Sequence, residues 1–239
     1  VPPVTDTLAR IVPWSFEVEE QPKLAALEKI FGKRCTAGRP NEILKSLTDQ
    51  LLSVSGFPHP ISVDVLDNKM NNAFALPGGR IIVMRGMIRE AHSPNELSAV
   101  LAHEIGHVEN RDATIGALRS AGSAGLLSMV LGDFSGGTLA VIVAEHLIST
   151  SYTREAEIRA DDFALDALHE ADVSSEGLAT FFDYILEQEG EGPAVPAYLN
   201  THPPSKARAG KSRAHAATQP DTSPVLSEAE WADLKSICD

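Results

Sequence analysis

Two histidines spaced four positions apart, with a glutamate directly after the first, have the clearest chemical potential in this sequence. They are His103 and His107, with Glu104 between them. Residues four apart share one face of a helix, so both imidazoles can reach a single ion. A catalytic zinc ion takes three protein ligands and keeps one position for water, whose pKa falls to about 7. Glu104 can then take a proton from that water and hand it to a leaving amine.

A second, acidic segment follows at residues 152–161 and is typical of the start of a helix. Glu157 and Asp161 share one face of this helix. A metal site needs a third ligand and an outer carboxylate that orients a ligand imidazole, and this pair can supply both. Taken alone, the segment is better explained as a charged helix surface on which Arg154 and Arg159 pair with carboxylates. Beside the histidine pair, metal binding is the better interpretation.

The residues before the histidines predict that both lie well inside a helix. Ser93, Pro94 and Glu96 form a capping box with proline at the first helical position. Apolar residues at helical spacing follow, namely Leu97, Val100, Leu101 and Ile105. This context argues against a chance match whose histidines would lie on a solvated helix face.

Elsewhere the pattern of apolar residues predicts a mainly helical α+β fold with a small, mostly antiparallel sheet. The strands are predicted at 61–66, 71–75 and 80–84. Further helices are predicted at 22–31, from Asn41 to Gly56, and at 113–131, 138–150, 154–170 and 174–189. Ser227 and Glu230 form a capping box for a short terminal helix.

We expect one compact domain made of three segments. These are an N-terminal helical segment at 1–58, a core at 59–210 and a C-terminal tail with a short helix at 211–239. The 239 residues are 43% hydrophobic and 22% charged, which is ordinary for a folded domain. The formal net charge of -13 argues against nucleic-acid binding, which depends on clustered lysine and arginine. Cys35 and Cys238 are the two cysteines, and a disulfide and two free thiols both stay open.

The sequence shows no segment that is typical of a membrane-spanning helix, which needs roughly 18 to 20 uninterrupted apolar residues. The most apolar region, residues 125–148, is interrupted by Asp133 and a glycine pair, and we interpret it as a buried or membrane-apposed helical hairpin. The chain starts at Val1 without a signal-peptide pattern. This start suggests processing or truncation, so an upstream anchor would not be seen in this sequence.

With these motifs, the chain closely resembles the HtpX-like proteases and CaaX prenyl endopeptidases, which are gluzincin metallopeptidases. The resemblance covers about residues 60–210 and includes four motifs in the same order. They are residues 72–79, the histidine motif, the pattern of Arg154, Glu157 and Asp161, and the Thr201-His202-Pro203 segment with Arg208. The resemblance implies a zincin-type domain whose active-site helix carries the histidine motif.

The resemblance also implies the metal ligands and the way in which substrate binds. It implies one zinc ion per chain, with Glu157 as the third ligand and Asp161 on the imidazole of His103. A polypeptide substrate would lie extended along the edge strand near Asn72 to Val83. Main-chain hydrogen bonds of this kind bind unfolded polypeptide and tolerate many sequences.

Three further residues line the active site in similar enzymes, where their counterparts are proposed to stabilise the oxyanion. Here they are Asn72, His202 and Arg208. In some relatives a loop histidine matching His202 approaches the zinc instead, displaces water and would hold the enzyme latent. Each residue also has a plain structural explanation, as a turn former, a loop residue and a helix-surface charge.

The chain departs from the membrane-embedded relatives, because the stretch between its two zinc helices is short and broken by glycine. Prenyl-substrate processing inside a membrane chamber is therefore not expected. Residues 13–17 resemble the linker before the catalytic domain in some membrane-anchored bacterial members. We expect the soluble catalytic part of a bacterial cell-envelope protein, periplasmic or membrane-anchored. Any membrane association would run through segments outside this chain or through residues 125–148.

Three functions fit this sequence. The leading one is a zinc endopeptidase that hydrolyses unfolded or misassembled proteins. The second is a latent chaperone or binding module in which His202 blocks the zinc, although the intact Glu104 argues for retained chemistry. The third is a structural zinc domain, which would need a closed shell of four ligands with His202 as the fourth.

Overall fold

The structure is a computed structural model that describes residues 4–120, 152–188, 198, 201–203, 206–220, 222 and 224–239. The predicted helix at 138–150 and the 125–148 hairpin lie outside these residues. Within the described ranges, no helix combines the length and apolarity needed to cross a bilayer.

Four helices form the N-terminal part of the chain: α1 (Val4–Ile11), α2 (Trp14–Glu20), α3 (Leu24–Phe31) and α4 (Gly38–Ser55). α3 ends before Gly32, as the sequence predicts, and this glycine has a φ of 109°. α4 begins at Gly38 rather than at the predicted cap, Asn41. Asn41 lies inside the first turn, where its side-chain amide donates to the Ala37 carbonyl at 2.6 Å instead of accepting from a backbone N–H.

Three strands form one sheet: β1 (Ser62–Leu66), β2 (Ala73–Leu76) and β3 (Arg80–Met84), in the spatial order β1-β3-β2. β2 and β3 form an antiparallel hairpin, whereas β1 lies parallel to β3. The sheet is therefore mixed, and not mostly antiparallel as predicted. After β1 the chain crosses to the far edge of the sheet to form β2, and β3 then returns between these two strands. β2 is an edge strand and β3 is the central strand.

Further helices complete the fold: α5 (Arg85–Glu90), α6 (Pro94–Glu109), α7 (Arg154–Glu170), α8 (Glu176–Gln188), α9 (Lys206–Ala216) and α10 (Glu228–Lys235), with a helical segment at 112–120. The predicted start of α6 is confirmed, since the Ser93 side chain accepts from the Glu96 N–H at 3.2 Å. Only half of this capping box forms, because the Glu96 carboxylate accepts from the His92 N–H at 2.8 Å. At α10 both halves of the predicted box are present.

The histidine helix, α6, lies at the centre of the fold. Every residue from Glu96 to Val108 is buried. This follows from its neighbours, since β2, β3, α4, α7 and α8 all pack against α6. The polar groups of the histidine motif are therefore interior groups, which must find partners inside the protein or bind a ligand.

A disulfide joins the segment between α3 and α4 to the C-terminal end of the described chain. Cys35 and Cys238 are bonded with their Cα atoms 4.8 Å apart, which decides between the two alternatives left open by the sequence. The bond links residues that are 203 positions apart in the chain. It fastens the C-terminal tail close to the start of α4, and α10 packs against α4. Leu234 and Ile237 thereby become part of the main hydrophobic core.

Candidate metal centre and active site

The two motifs singled out by the sequence meet where α6 packs against α7. Gly106 allows this approach, because a Cβ atom there would lie 2.9 Å from both the Cα and the carbonyl oxygen of Ala160. A side chain would push the two backbones apart. Glycine at this position therefore lets Glu157 on α7 reach the histidines on α6.

Four buried side chains converge at this contact: His103, His107, Glu157 and His202. One nitrogen or oxygen atom from each lies within 4.8 Å of the others. The Nε2 atoms of His103 and His107 are 3.0 Å apart. Glu157 Oε1 lies 3.3 Å from His107 Nε2, and Glu157 Oε2 lies 3.6 Å from His103 Nε2.

This donor set fits a tetrahedral metal ion. Zinc binds imidazole nitrogen and carboxylate oxygen at about 2.0–2.2 Å, so neighbouring ligand atoms lie about 3.3 Å apart. The separations among the three predicted ligands, 3.0 to 3.6 Å, agree with this value. The structure thus brings His103, His107 and Glu157 into an arrangement that a metal ion requires.

Two carboxylates hold the other nitrogen of each histidine on α6. Asp161 Oδ1 lies 3.0 Å from Nδ1 of His103, which is the position implied by the resemblance. Asp112 Oδ2 lies 2.9 Å from Nδ1 of His107, and its Oδ1 accepts from Arg159 at 2.8 Å. Such contacts orient the two rings and direct each Nε2 atom towards the space between the clustered donor atoms. Sequence reasoning missed Asp112, because it follows the end of α6 and belongs to no periodic pattern.

His202 occupies the fourth corner of the cluster. Its Nδ1 lies 3.0 Å from Glu157 Oε1 and 3.3 Å from Nε2 of His103. The imidazole stacks on the ring of Tyr198 at 4.3 Å, and the His202 N–H donates to the Tyr198 carbonyl at 2.8 Å. The side chain is fully buried. Tyr198 thereby fixes His202 against the three clustered side chains of α6 and α7.

Tyr152 is, after Tyr198, a second aromatic residue that packs against the cluster, and the sequence did not predict it. Its ring stacks on His107 with a centroid separation of 4.0 Å. Burial, with the charge of Glu104 nearby, raises the pKa of the phenol well above its usual value. The only available signal was the place of Tyr152 at the start of the acidic segment. Rings on this side keep water away from the cluster and so strengthen electrostatic interactions within it.

Arg208 lies in the site, where it contacts carboxylates. Its Nε and Nη2 atoms donate to Asp161 at 2.6 Å and 2.8 Å. Its Nη1 atom lies 2.7 Å from Glu157 Oε2. The guanidinium therefore holds Glu157 and Asp161 in fixed positions relative to each other. The contact with an oxyanion that the resemblance implies for Arg208 stays a prediction.

Glu104 and Asn72 are both buried with unused acceptors. Neither carboxylate oxygen of Glu104 has a hydrogen-bond partner among the residues that the structure describes. Glu104 Oε1 lies 3.4 Å from Nε2 of His202, beside the cluster. Asn72 directly precedes β2, and its Oδ1 likewise has no partner in the described part of the chain. Asn72 is not one of the four clustered residues.

Burial and close contact determine the charges of these groups. Burial raises the pKa of Glu104, although the adjacent histidines oppose this. Burial, together with the charge of His107, lowers the pKa of His103. Burial also acts to lower the pKa of His107, but hydrogen bonds to Asp112 and Glu157 outweigh it and raise the pKa to about 10. A metal ion that binds here must therefore displace a proton from His107.

Comparison with known proteins finds one family model and several relatives that are named as metalloproteases. The family model described as peptidase family M48 matches residues 39–215. The Escherichia coli K12 metalloprotease YcaL is 29% identical over 201 residues, covering 81% of this chain and 73% of that protein. The Escherichia coli K12 metalloprotease LoiP is 30% identical over 157 residues, covering 63% of this chain and 60% of LoiP.

A third relative is longer than this chain. The putative beta-barrel assembly-enhancing protease of Vibrio cholerae is 28% identical over 197 residues, covering 75% of this chain. The match spans only 40% of that relative and 60% of LoiP, so both extend well beyond the shared region. The family model covers most of this chain, including both motifs of the cluster. The chain therefore belongs to peptidase family M48.

Proposed function

We propose that this chain is a zinc-dependent endopeptidase in which His103, His107 and Glu157 hold the ion and Glu104 is the general base. The observation that supports this proposal is the convergence of the ligand atoms within 4.8 Å. Beside them lies a buried carboxylate without a hydrogen-bond partner in the described ranges. Two imidazoles and one carboxylate are the donor set of catalytic zinc in several peptidases.

Each protein group has a separate task in the proposed reaction. Zinc, when bound, supplies a Lewis acid that polarises the scissile carbonyl and lowers the pKa of water. Glu104 takes a proton from the attacking water and passes it to the leaving amine, and burial helps it to carry that proton by raising its pKa. Asp161 and Asp112 orient the ligand imidazoles. Arg208 holds Glu157 in place.

We also infer that the substrate adds to the sheet along β2. This strand lies at the edge, and no described strand pairs with its outer side. Its four residues are buried, so the segments that cover this edge must move before a substrate can pair with it. β3 is paired on both sides, so the binding surface runs along Asn72 to Leu76 and does not extend to Val83. Main-chain pairing suits an unfolded polypeptide, because folded proteins seldom offer a free extended segment.

We propose that the substrates are unfolded or misassembled proteins of the bacterial cell envelope. One relative is named a putative beta-barrel assembly-enhancing protease, which supports a task of this kind. The disulfide between Cys35 and Cys238 supports an oxidising compartment, since such bonds persist outside the cytosol. The net charge of -13 disfavours nucleic acid as a partner.

Removal of the metal tests the proposed cofactor. We expect the purified protein to contain about one zinc ion per chain, as in other catalytic sites of this ligand type. Dialysis against a chelator should abolish casein cleavage, and added zinc should restore it. Metal analysis and a casein assay measure both results. Casein cleavage that continues in the zinc-free protein would exclude the proposed mechanism.

The position of His202 favours a second function, a latent form of the same enzyme. His202 is close to Glu157, His103 and Glu104, at 3.0 Å, 3.3 Å and 3.4 Å respectively. A fourth ligand atom in this place would occupy the coordination position that a catalytic ion keeps for water. Cleavage would then require His202 to move away, whereas a structural zinc domain would keep it bound.

Replacement of His202 by alanine distinguishes these forms. For the latent enzyme, we expect the His202→Ala variant to keep its zinc and to cleave casein faster than the wild type, because the fourth position becomes free. Zinc content and initial cleavage rates should be measured together. Loss of zinc or unfolding would indicate a closed structural site. Slower cleavage with zinc retained would contradict latency and would indicate that His202 assists catalysis.

A further inference from the structure

Glu17 on α2 is a buried carboxylate that connects three segments of the chain. The residue is 3% exposed. Its Oε1 atom accepts from Nε and Nη2 of Arg111 at 2.8 Å and 2.5 Å, and from the Thr114 hydroxyl at 2.5 Å. Its Oε2 atom accepts from the Gly78 N–H at 3.1 Å. A buried charge with this many donors is held in one position.

One set of these contacts leads to the metal centre. Arg111 forms the link between α6 and the helical segment 112–120, and its φ of 57° is unusual for a residue with a side chain. The next residue, Asp112, holds Nδ1 of His107 at 2.9 Å. Glu17 holds the Arg111 guanidinium and the Thr114 hydroxyl, which flank Asp112 in the chain, so these contacts limit where the Asp112 carboxylate can lie relative to His107.

The other contact leads to the strand on which the substrate is proposed to lie. Gly78 belongs to the turn between β2 and β3 and has a φ of 75°. A Cβ atom at Gly78 would lie 2.8 Å from the Glu17 carbonyl carbon, so α2 lies directly against this turn. The Glu17 carboxylate also accepts the turn's N–H. Glu17 thereby fixes the end of the edge strand β2.

We propose that Glu17 is a positioning residue that aligns the metal centre with the substrate strand. Through Arg111 it sets the position of Asp112 on His107, and through Gly78 it sets the end of β2. The N-terminal helix α2 is then part of the catalytic apparatus, although it lies outside the residues matched by the family model, 39–215. This inference rests on the proposed function, since it takes His107 as a ligand and β2 as the substrate strand.

Glutamine at position 17 tests the proposal, with Glu19→Gln as the matched control, since Glu19 is exposed on the same helix. In Glu17→Gln the charge that holds Arg111 is lost. We expect zinc affinity, measured by competition with a chelating dye, to fall by about 10- to 100-fold, as is usual when an outer contact of a metal ligand is disturbed. Exchange of the Gly78 amide hydrogen should become faster. Glu19→Gln should match the wild type in both measurements.

A double-mutant cycle with Asp112→Asn separates positioning from general stabilisation. If Glu17 acts through Asp112, its replacement should lower zinc affinity much less in the Asp112→Asn background than in the wild type. Additive effects would overturn the proposal. So would a lower Tm of the zinc-free Glu17→Gln protein with unchanged zinc affinity.

A milder variant covers the case in which Glu17→Gln does not fold. Arg111→Lys keeps the charge but loses the two-nitrogen contact with Glu17, so it should lower zinc affinity in the same direction. Unchanged affinity in this variant would overturn the proposal. If the wild type itself neither binds zinc nor cleaves casein, the proposed function fails. If the wild type does both and Glu17→Gln equals Glu19→Gln, the inference alone fails.

Discussion

Replacement of Glu104 by glutamine is expected to lower kcat for casein cleavage by about 100- to 10,000-fold, the usual contribution of a general acid–base group. Glutamine has nearly the same shape as glutamate but cannot accept the proton from the attacking water. Glu104 is fully buried and is not one of the four residues whose donor atoms converge. The zinc content of Glu104→Gln should therefore stay at about one ion per chain.

The control for this experiment is Glu109→Gln. Glu109 lies on the same helix, α6, but its side chain is exposed at the C-terminal end. This variant should cleave casein at the wild-type rate and bind the same amount of zinc. Wild-type cleavage by Glu104→Gln would rule out Glu104 as the base. Loss of zinc from Glu104→Gln would show instead that this carboxylate supports the metal centre.

The part of the site that could be predicted from the sequence follows local rules. His103 and His107 lie on one helix, and the Ser93 cap fixes where that helix begins. Glu157 and Asp161 likewise share one face of α7, whose start at Arg154 agrees with the prediction. In both cases the spacing within one helix determines the relative positions of the two side chains. The connection between the two helices is contained in no local pattern. It came from the need of a metal site for a third ligand and an outer carboxylate, and from the resemblance.

The unpredicted parts depend on contacts between distant segments. Asp112 and Glu17 are single carboxylates in no periodic pattern, and they acquire their contacts from the way in which α2, α6 and the β2–β3 turn pack. The parallel pairing of β1 with β3 is of the same kind. Strand alternation shows which residues are buried, but it does not show which neighbour a strand will have. The contacts of Arg208 with Asp161 and Glu157 also join distant segments, and only the fold shows them.

Gly106 illustrates how a residue that is unfavourable locally can be required by the fold. A glycine inside a helix costs roughly 0.5–1 kcal/mol relative to alanine. In this position, however, a Cβ atom would lie 2.9 Å from the Cα and the carbonyl oxygen of Ala160. Ala160 lies between Glu157 and Asp161 on α7. The glycine therefore determines how close the third ligand and the outer carboxylate come to the histidines.

Alanine at position 106 is accordingly expected to damage the centre by separating the two helices that carry its side chains. Backbone atoms cannot move aside as a flexible side chain can, so Gly106→Ala should push α7 away from α6. We expect kcat/KM to fall by about 100-fold, because small displacements of reacting groups have effects of this size. Zinc affinity should fall as well, and the free energy of unfolding should drop by about 1–3 kcal/mol, as is typical of overpacking. Casein kinetics, chelator competition and urea unfolding measure the three quantities.

The matched control is Gly210→Ala, which makes the same substitution in helix α9. A Cβ atom at Gly210 would meet nothing within 4 Å. This variant should leave zinc affinity and cleavage unchanged and should raise the free energy of unfolding by about 0.4–1 kcal/mol, because alanine reduces the freedom of the unfolded chain. If Gly106→Ala instead resembled Gly210→Ala in zinc affinity and turnover, the close contact of α6 with α7 could not be what brings Glu157 to the histidines.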